Sequence, residues 1–314
     1  MVKKGGVDKM HHRHLGNTLL LLGCLLLLGM AWQVSSQAAP YREVLCRQGD
    51  QAPPVNGRED PVWEAYPEYV VLDRVSGQKI FLKTMYVDDT IYFLVRYSDP
   101  DKNDQHKPWV WNQDMEAYVP GKQREDTFVF KFAMDQATTD LSSFADEEYI
   151  ADVWYWKAAR TNGVGYADDK LHILSTQPGK KAQKVTSKSG KTMYLMRLGD
   201  KGRSAYTSTV YAEKIQEVMP KYILRQPTGS RADVRAKGEW RDGMWTIVFA
   251  RKLQTGHEDD VQFVPGKTYK FGVSIHGLYG EPLPQSPEAN LYGKGRISEM
   301  LLLHLESQVA MTNR

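Results

Sequence analysis

The chain has 314 residues, of which 25% are charged and 41% are hydrophobic, and its formal net charge is +3. This length accommodates one large β-rich domain or two smaller ones. The first 39 residues contain four basic residues and one acidic residue, so the rest of the chain is formally neutral. A neutral chain has no bulk charge that would attract nucleic acid, and we exclude nucleic acid as a partner.

Residues 1–39 have the pattern of a secretory signal peptide. Basic residues precede the apolar run Leu19–Met30, and Ser36–Ala39 places small residues at the spacing of a signal-peptidase site. We predict cleavage after residue 38 or 39 and an exported, periplasmic mature chain. The alternative is an uncleaved N-terminal anchor, since Leu15–Trp32 approaches the length of a membrane span. Contact with a membrane is expected only in that case.

Cysteine content limits the cofactors of the mature chain. Cys46 is the only cysteine after the signal segment, so no internal disulfide can form. Thiolate zinc sites and Fe–S clusters need several cysteines, and no Cys-x-x-Cys-His motif is present for covalent haem attachment. Any haem would have to be bound non-covalently.

Residues 40–314 are predicted to form a single domain of short strands. Turns at Asp88-Asp89 and Asp242-Gly243 predict two β-hairpins. Further strands are predicted at Asp126–Met134, Thr268–His276 and Ser298–Leu305. About ten such runs separated by turn residues predict an all-β fold, an antiparallel β-sandwich with long loops and few short helices.

Residues 176–235 are predicted to be a polar excursion from the sheet rather than a linker to a second domain. Lys, Gly and Ser dominate residues 176–208, where only Thr192–Met196 has strand character. Ala212–Val218 is predicted to form one or two helical turns.

The most distinctive stretch is the aromatic and basic segment Asp152–Arg160. Strand alternation sends Trp154 and Trp156 to one side of a strand, and to the other side it sends Val153, Tyr155 and Lys157. Flat aromatic surface beside fixed cations is typical of a site for a large planar anion. The alternative, which composition alone favours, is an aromatic core strand with a snorkelling lysine.

The longer segment Asp152–Asp169 resembles the haem-binding domain of the ethylbenzene dehydrogenase type. That family includes the γ subunits of periplasmic molybdenum enzymes related to dimethyl sulfoxide reductase. Other matching segments follow the family order, and they are Asp60–Trp63, Ile91–Asp99, Arg124–Phe130 and Trp245–Gly256. The likeness covers about residues 55–305, and the tryptophan motif and the Arg-Lys-Leu-x-Thr-Gly motif carry most of its specificity.

The resemblance implies an electron-transfer subunit that holds one non-covalent haem b within the sandwich and leaves catalysis to a partner. That partner would be a molybdenum oxidoreductase subunit or a cytochrome. Family axial ligands come from loops, typically a Met and a Lys, with His in some relatives. The corresponding candidates here are Met134, Lys294, His276 and Met115. Residues 135–151 contain no Met where the family has one, which makes Met134 the nearest substitute.

The same resemblance assigns roles to the aromatic segment. The walls of the haem pocket would be formed by Trp154, Tyr155 and Trp156. Lys157 and Arg160 would pair with the haem propionates, because ammonium and guanidinium groups bind carboxylates well.

Two other function classes remain open from the sequence. A carbohydrate-binding sandwich could stack Trp109 and Trp111, or Trp154 and Trp156, on a sugar. A hydrolase could use the adjacent acids Glu125-Asp126 and Asp168-Asp169, but no nucleophile motif accompanies them, and a solvated surface is the favoured interpretation. Asp99, Asp101 and Asn103 have the opening spacing of a calcium loop but lack its later Gly and Glu, which favours a plain solvated loop.

Overall fold

The computed structural model describes residues 41–73, 76–276, 297 and 299–307. Eighteen strands lie in these ranges, in the order β1 (Arg42–Gln48), β2 (Tyr69–Leu72), β3 (Lys79–Val87), β4 (Thr90–Ser98), β5 (Trp109–Asn112), β6 (Ala117–Pro120), β7 (Thr127–Ala133), β8 (Tyr149–Lys157), β9 (Asp168–Ser175), β10 (Gln183–Thr186), β11 (Thr192–Gly199), β12 (Tyr206–Ser208), β13 (Val218–Met219), β14 (Tyr222–Leu224), β15 (Arg235–Arg241), β16 (Met244–Lys252), β17 (Thr268–His276) and β18 (Leu301–Leu305). Three short 3₁₀ helices accompany them, at Pro61–Ala65, Asn162–Val164 and Gly229–Ala232. Within the described ranges, no helix is long and apolar enough to cross a membrane.

The strands form two layers that share β1. The first layer has the order β10-β11-β9-β8-β7-β17-β18-β1, and the second has the order β15-β16-β4-β3, with β2 also on β3. Arg42–Cys46 pairs with β18, whereas Arg47 and Gln48 pair with β3, so β1 passes from one layer to the other. The predicted all-β sandwich is confirmed. Both pairings of β1 are parallel, an exception to the antiparallel pairing of the other described strands.

The two predicted hairpins are confirmed, and their turns explain their registers. Asp242 and Gly243 have φ values of 51° and 76°, the two positive values that a type I′ turn needs between β15 and β16. Asp88 has a φ of 50° in the turn between β3 and β4, where Val87 pairs with Thr90. Asp tolerates this left-handed conformation better than most residues.

Aromatic side chains fill the space between the two layers. Phe93, Phe130, Phe132 and Trp154 are fully buried, and the ring centroids of neighbours among them lie 4.7 to 6.1 Å apart. These are ordinary separations for packed aromatic pairs. A haem between the layers, as the resemblance implies, would have to displace these rings.

A smaller apolar cluster covers the opposite face of the first layer, which we call the outer face. It contains Val129, Ala151 and Val153 from the strands and Leu141 and Ala145 from the connection between β7 and β8. Ile297 also packs on this cluster. His276 lies on this side of the sheet as well, because its ring centroid is 5.9 Å from that of Tyr155, which packs on the same cluster.

Residues 176–235 divide between the sheet and two small additions. Strands β10 and β11 extend the first layer beyond β9, while β12 pairs with β14, and β13 joins β5 and β6. The prediction of helical turns at Ala212–Val218 is wrong. The amides of Ile215 and Gln216 donate to the Tyr118 hydroxyl, and Val218 pairs with Val110, so this backbone is bonded to neighbouring strands instead of to itself.

Candidate functional site

The two tryptophans of β8 lie in the core. Both have no exposed surface, and they face the second layer as the alternation predicts. Trp156 packs edge-on against Trp245 with centroids 4.9 Å apart, and its Nε1 donates to Asn162 Oδ1 at 3.1 Å. The structure therefore agrees with an aromatic core strand, and a ligand would reach these rings only by opening the sandwich.

The other tryptophan pair, Trp109 and Trp111, lies in the three-stranded addition. Lys221 covers the ring of Trp109 at 4.2 Å, and Lys214 lies 5.8 Å from the ring centroid of Trp111. Trp109 Nε1 donates to the Thr209 carbonyl at 2.7 Å. These lysines occupy positions that a stacked sugar would need.

Lys157 is buried and its charge is already compensated. Its Nζ lies 2.5 Å from Asp168 Oδ2 and 3.2 Å from the Tyr206 hydroxyl. Asp168 also pairs with Arg231 and, at 3.5 Å, with Lys170. Burial alone would raise the pKa of Asp168, but the three cations outweigh it and hold this pKa below its usual value.

Arg160 is likewise committed to a buried acid. Its Nε pairs with Glu125, whose carboxylate also accepts from the amides of Ala159 and Arg160 at 2.8 and 3.0 Å. His106 Nδ1 lies 3.2 Å from the same carboxylate. A pocket of about 240 Å³ opens beside them, lined in part by His106, Ala159 and Tyr222. Typical small-molecule sites occupy roughly 300–1,000 Å³, so this pocket is small for a haem.

The interpretation of the two acid pairs as solvated is wrong. Glu125, Asp126, Asp168 and Asp169 are each at most 3% exposed. Three of them have specific partners: Arg160 for Glu125, Lys157 for Asp168, and Trp245 Nε1 for Asp126 at 3.0 Å. Paired charges can be buried, which composition alone does not reveal.

The structure separates the candidate iron ligands. Met134 follows the last residue of β7, whereas His276 pairs with Thr127 at the first. Seven residues of strand span roughly 23 Å, so Met134 and His276 cannot bind one iron together. Met115 is 65% exposed in the turn between β5 and β6. Lys294 lies outside the described residues.

His276 lies at the end of β17 on the outer face. Its ring centroid is 5.9 Å from that of Tyr155, and the Ser274 hydroxyl is 3.2 Å from Nε2. Burial, assisted by Arg197, lowers the pKa of His276 to about 4. The imidazole is therefore neutral at pH 7, which is the form that ligates metals.

His172 on β9 is a second imidazole on the outer face. Its Nε2 is buried and has no hydrogen-bond partner in the described part of the chain. Burial, followed by Lys131 and Arg197, lowers the pKa of His172 well below its usual value. This residue is not among the candidates predicted from the sequence. Strand alternation was the available signal. His172 and Leu174 are two positions apart in β9, so they share one face of the strand, and Leu174 packs in the apolar cluster of the outer face.

Buried acids also gather between the layers, on the core side of β8 and β9. Asp152, Asp169 and Asp260 present carboxylate oxygens that all lie within 4.8 Å of one another. Arg251 Nη1 is 2.5 Å from Asp152 Oδ2 and 3.7 Å from Asp260 Oδ1. Burial first, and the neighbouring carboxylates second, raise the pKa of Asp169 well above its usual value.

Comparison with protein families places the chain in a family. A family described as ethylbenzene dehydrogenase matches residues 51–281, which is more than half of the chain. The chain belongs to the ethylbenzene dehydrogenase family. The two most specific motifs of that resemblance meet in the fold, because Asp152 of the tryptophan motif pairs with Arg251 of the Arg-Lys-Leu motif.

Other comparisons add little about function. No curated protein matches this family member. Among solved structures, a family 9 carbohydrate-binding module from Caldicellulosiruptor kristjanssonii in complex with glucose is 10% identical, with a TM-score of 0.38 over 86% of this chain and 100% of that chain. Its complex with cellotriose is 9% identical, with a TM-score of 0.38 over 87% of this chain and 98% of that chain. Likeness at this level carries no argument about ligands.

Proposed function

We propose that this member of the ethylbenzene dehydrogenase family is an electron-transfer subunit that binds haem b non-covalently and has no catalytic activity of its own. The family match over residues 51–281 is the observation that carries the proposal. A haem would supply one-electron redox chemistry, with its potential tuned by the axial ligands and by burial.

The outer face of the first layer is where the chain's residues fit such a group. Two neutral imidazoles, those of His276 and His172, belong to this face, and the latter has a buried nitrogen without a hydrogen-bond partner in the described ranges. A buried, unsatisfied ring nitrogen is costly unless a ligand occupies it. His276 is the preferred iron ligand, because it is one of the ligand positions that the family resemblance implies and Ser274 can orient its ring.

Residues around His276 can prepare it for ligation. The Ser274 hydroxyl lies 3.2 Å from its ring and can fix the ring orientation, a common role for the outer shell of a metal site. Arg197 of β11 pairs in register with His172 of β9, so it also lies on the outer face. Its Nη1 donates to Gln183 Oε1 at 2.6 Å, and no carboxylate pairs with it among the described residues. Its guanidinium can bind a propionate better than Lys157 or Arg160, whose charges are already paired.

The location and partner of the subunit are part of the proposal. The signal-like residues 1–39 support export to the periplasm, and the family supports a multisubunit molybdenum oxidoreductase or a cytochrome as the redox partner. Electrons would pass between that partner and the haem, while the polypeptide binds and orients the group and excludes water from it.

An absorption spectrum of the protein purified from haem-replete cells tests the proposal. We expect a Soret band and a pyridine haemochrome of the b type. His276→Ala should shift or abolish the band, whereas His304→Ala, an exposed histidine that bonds Thr268, should leave it unchanged.

Three outcomes would contradict parts of this proposal. Absence of a Soret band after reconstitution with haem would reject haem binding. A band that is unmoved by both His276→Ala and His172→Ala would reject the ligand assignment. Binding of the haem-free protein to a glycan panel, without any Soret band, would favour the carbohydrate-binding alternative.

A further inference from the structure

Four aspartates from separate parts of the chain converge at one side of the sandwich interior. Asp152 comes from β8, Asp169 from β9, Asp200 directly follows β11, and Asp260 lies between β16 and β17. They are between 0% and 6% exposed. Their mutual influence is strong, because the carboxylates of Asp152 and Asp260 each raise the pKa of both Asp169 and Asp200.

The positive charge at this cluster is too small to balance it. Arg251 pairs with Asp152 and also donates from Nη2 to the Val261 carbonyl. Arg231 approaches Asp200 but forms its ion pair with Asp168. Lys170, the residue after Asp169, pairs with Asp168 instead. The guanidinium of Arg251 is therefore the one cation of these three that compensates the four acids. A buried excess of negative charge is strongly unfavourable.

Unsatisfied oxygens add a second, independent observation. Both carboxylate oxygens of Asp169 are buried without a hydrogen-bond partner in the part of the chain that the structure describes. Asp200 lies outside the tightly grouped three acids but next to them, since its amide donates to the Asp169 carbonyl at 3.4 Å, and both of its carboxylate oxygens are also buried without a partner in the described residues. Folded proteins leave few buried polar groups unsatisfied, and two complete carboxylates at one place call for a ligand.

We propose that Asp152, Asp169, Asp200 and Asp260 bind a calcium ion. Calcium accepts six to eight oxygen ligands at about 2.3–2.6 Å, so oxygens on opposite sides of the ion lie about 4.6–5.2 Å apart. The oxygens of Asp152, Asp169 and Asp260 lie within 4.8 Å of one another, which matches this span. Zinc prefers nitrogen and sulfur ligands, and magnesium demands stricter octahedral geometry and retains water.

The position of the site indicates what the ion does. Asp152, Asp169 and Asp200 belong to the strands of the first layer or their ends, while Asp260 follows β16 of the second layer. An ion held by all four joins the two layers beside the aromatic core, where the Arg251 guanidinium lies 4.7 Å from the Trp154 ring centroid. The calcium ion is therefore a structural element of the sandwich.

A neighbouring group of potential ligands has a different character. His257 Nδ1 lies 2.5 Å from Asp233 and 3.9 Å from Asp260, and this histidine side chain is 42% exposed. The His257–Asp233 pair satisfies itself and lies towards solvent. His257→Ala should therefore leave calcium binding unchanged, and loss of calcium binding in this variant would move the site to this exposed group and overturn the assignment.

Thermal unfolding of the purified protein tests the proposal. After treatment with EDTA, addition of CaCl₂ to a hundred times Kd should raise Tm by about 5–10 °C. MgCl₂ at the same concentration should have a smaller effect. Elemental analysis of the dialysed protein should find one calcium ion per chain. No bound calcium, together with a Tm that does not respond to CaCl₂, overturns the proposal and leaves protons as the neutralising species.

Two neighbouring residues provide a variant and its matched control. Asp169→Asn should abolish the calcium-dependent rise in Tm, and it should raise the Tm of the metal-free protein because one unpaired carboxylate is removed. Asp168→Asn removes an equally buried carboxylate that pairs with Lys157, so it should lower Tm with and without calcium and preserve the calcium-dependent rise. A calcium response retained in Asp169→Asn contradicts the proposal.

A measurement on the unmodified protein covers the case in which a variant does not fold. Tb³⁺ replaces Ca²⁺ at oxygen sites and luminesces when a nearby tryptophan is excited. Trp154 lies beside the cluster, because its ring centroid is 4.7 Å from the Arg251 guanidinium that pairs with Asp152. We expect tryptophan-sensitised luminescence that CaCl₂ displaces; absence of such luminescence at saturating Tb³⁺ counts against the site.

Discussion

Asp152 and Arg251 form an ion pair with an Nη1 to Oδ2 distance of 2.5 Å, and both side chains are fully buried. The pair joins β8 of one layer to β16 of the other and brings the two most specific family motifs together. Arg251 also lies over the rings of Trp154 and Phe263 at 4.7 and 4.9 Å. A charge in such an environment is stable only while its partners remain in place.

Replacement of Arg251 should therefore greatly reduce the free energy of unfolding. Arg251→Met keeps much of the side-chain length but leaves Asp152 buried without its cation, and we expect a loss of about 3–5 kcal/mol in the free energy of unfolding. Urea denaturation in EDTA measures it. Arg241→Met is the control, since Arg241 is 66% exposed in its pair with Glu239 and should cost at most about 1 kcal/mol. Equal losses in the two variants would contradict this account.

Strand alternation predicted much of this geometry, and its limits are physical. The period of two correctly placed Trp154 and Trp156 opposite Tyr155 and Lys157, because successive side chains leave opposite faces of any strand. It could not predict that β1 crosses between layers, since that depends on pairing partners more than 35 residues away in sequence. Register between distant strands is a tertiary property.

The free energy of unfolding should depend on pH because the pKa of Asp200, an acid of the cluster, is raised in the folded protein. Burial first, and the carboxylates of Asp259 and Asp152 next, raise the pKa of Asp200 to about 8. Between its usual pKa of 3.8 and about 8, the folded protein holds a proton that the unfolded chain has released. In metal-free protein this group therefore makes the fold less stable as the pH rises through that interval.

Asp200→Asn should remove this contribution. From pH 5 to pH 8 in EDTA, the variant should gain roughly 2 kcal/mol in unfolding free energy relative to the unsubstituted protein. Histidines with lowered pKa values act in the opposite direction, but they are common to both proteins and cancel in the difference. Urea denaturation at several pH values is the measurement, and a difference that stays constant with pH would refute the role of Asp200.

The candidate site shows where sequence reasoning stops. Lys157 was recognised as a cation beside aromatic residues, which suggests a propionate partner, but its pairing with Asp168 depends on the β8–β9 register. Asp168 and Asp169 are adjacent in sequence and leave β9 on opposite faces, so Asp168 pairs with Lys157, whereas Asp169 lies among other acids and forms no ion pair within the described residues. A single sequence does not indicate which of two neighbouring carboxylates pairs with a cation.

Lys157 can be tested as a structural residue. Lys157→Met should lower the free energy of unfolding by about 2–4 kcal/mol, because Arg231 and Lys170 only partly replace it beside Asp168. The haem content per folded chain and the Soret maximum should stay unchanged. Lys170→Met, which removes a longer contact of 3.5 Å, should cost less. A shifted Soret maximum in Lys157→Met alone would instead support the propionate role that the resemblance implies.

Asn162 connects the tryptophan strand to β15. Its Oδ1 accepts from Trp156 Nε1 at 3.1 Å and from the Gly238 amide at 2.7 Å, and its Nδ2 donates to the Gly238 carbonyl at 3.0 Å. Asn162→Ala leaves these partners unsatisfied and should cost about 2–4 kcal/mol in unfolding free energy, measured by urea denaturation.

A graded series separates the bonds of Asn162 from its volume. Asn162→Asp keeps the acceptor oxygen for Trp156 and for the Gly238 amide but puts a charged oxygen against the Gly238 carbonyl in place of the donor, so its cost should be large at pH 7 and should decrease at low pH, where the carboxyl is protonated and can donate. Asn56→Ala removes only an exposed bond to the Arg58 amide and should cost less than about 1 kcal/mol. If Asn162→Ala is no more harmful than Asn56→Ala, the contact between β8 and β15 does not depend on this side chain, and packing of Trp156 against Gly238 must hold the two strands together.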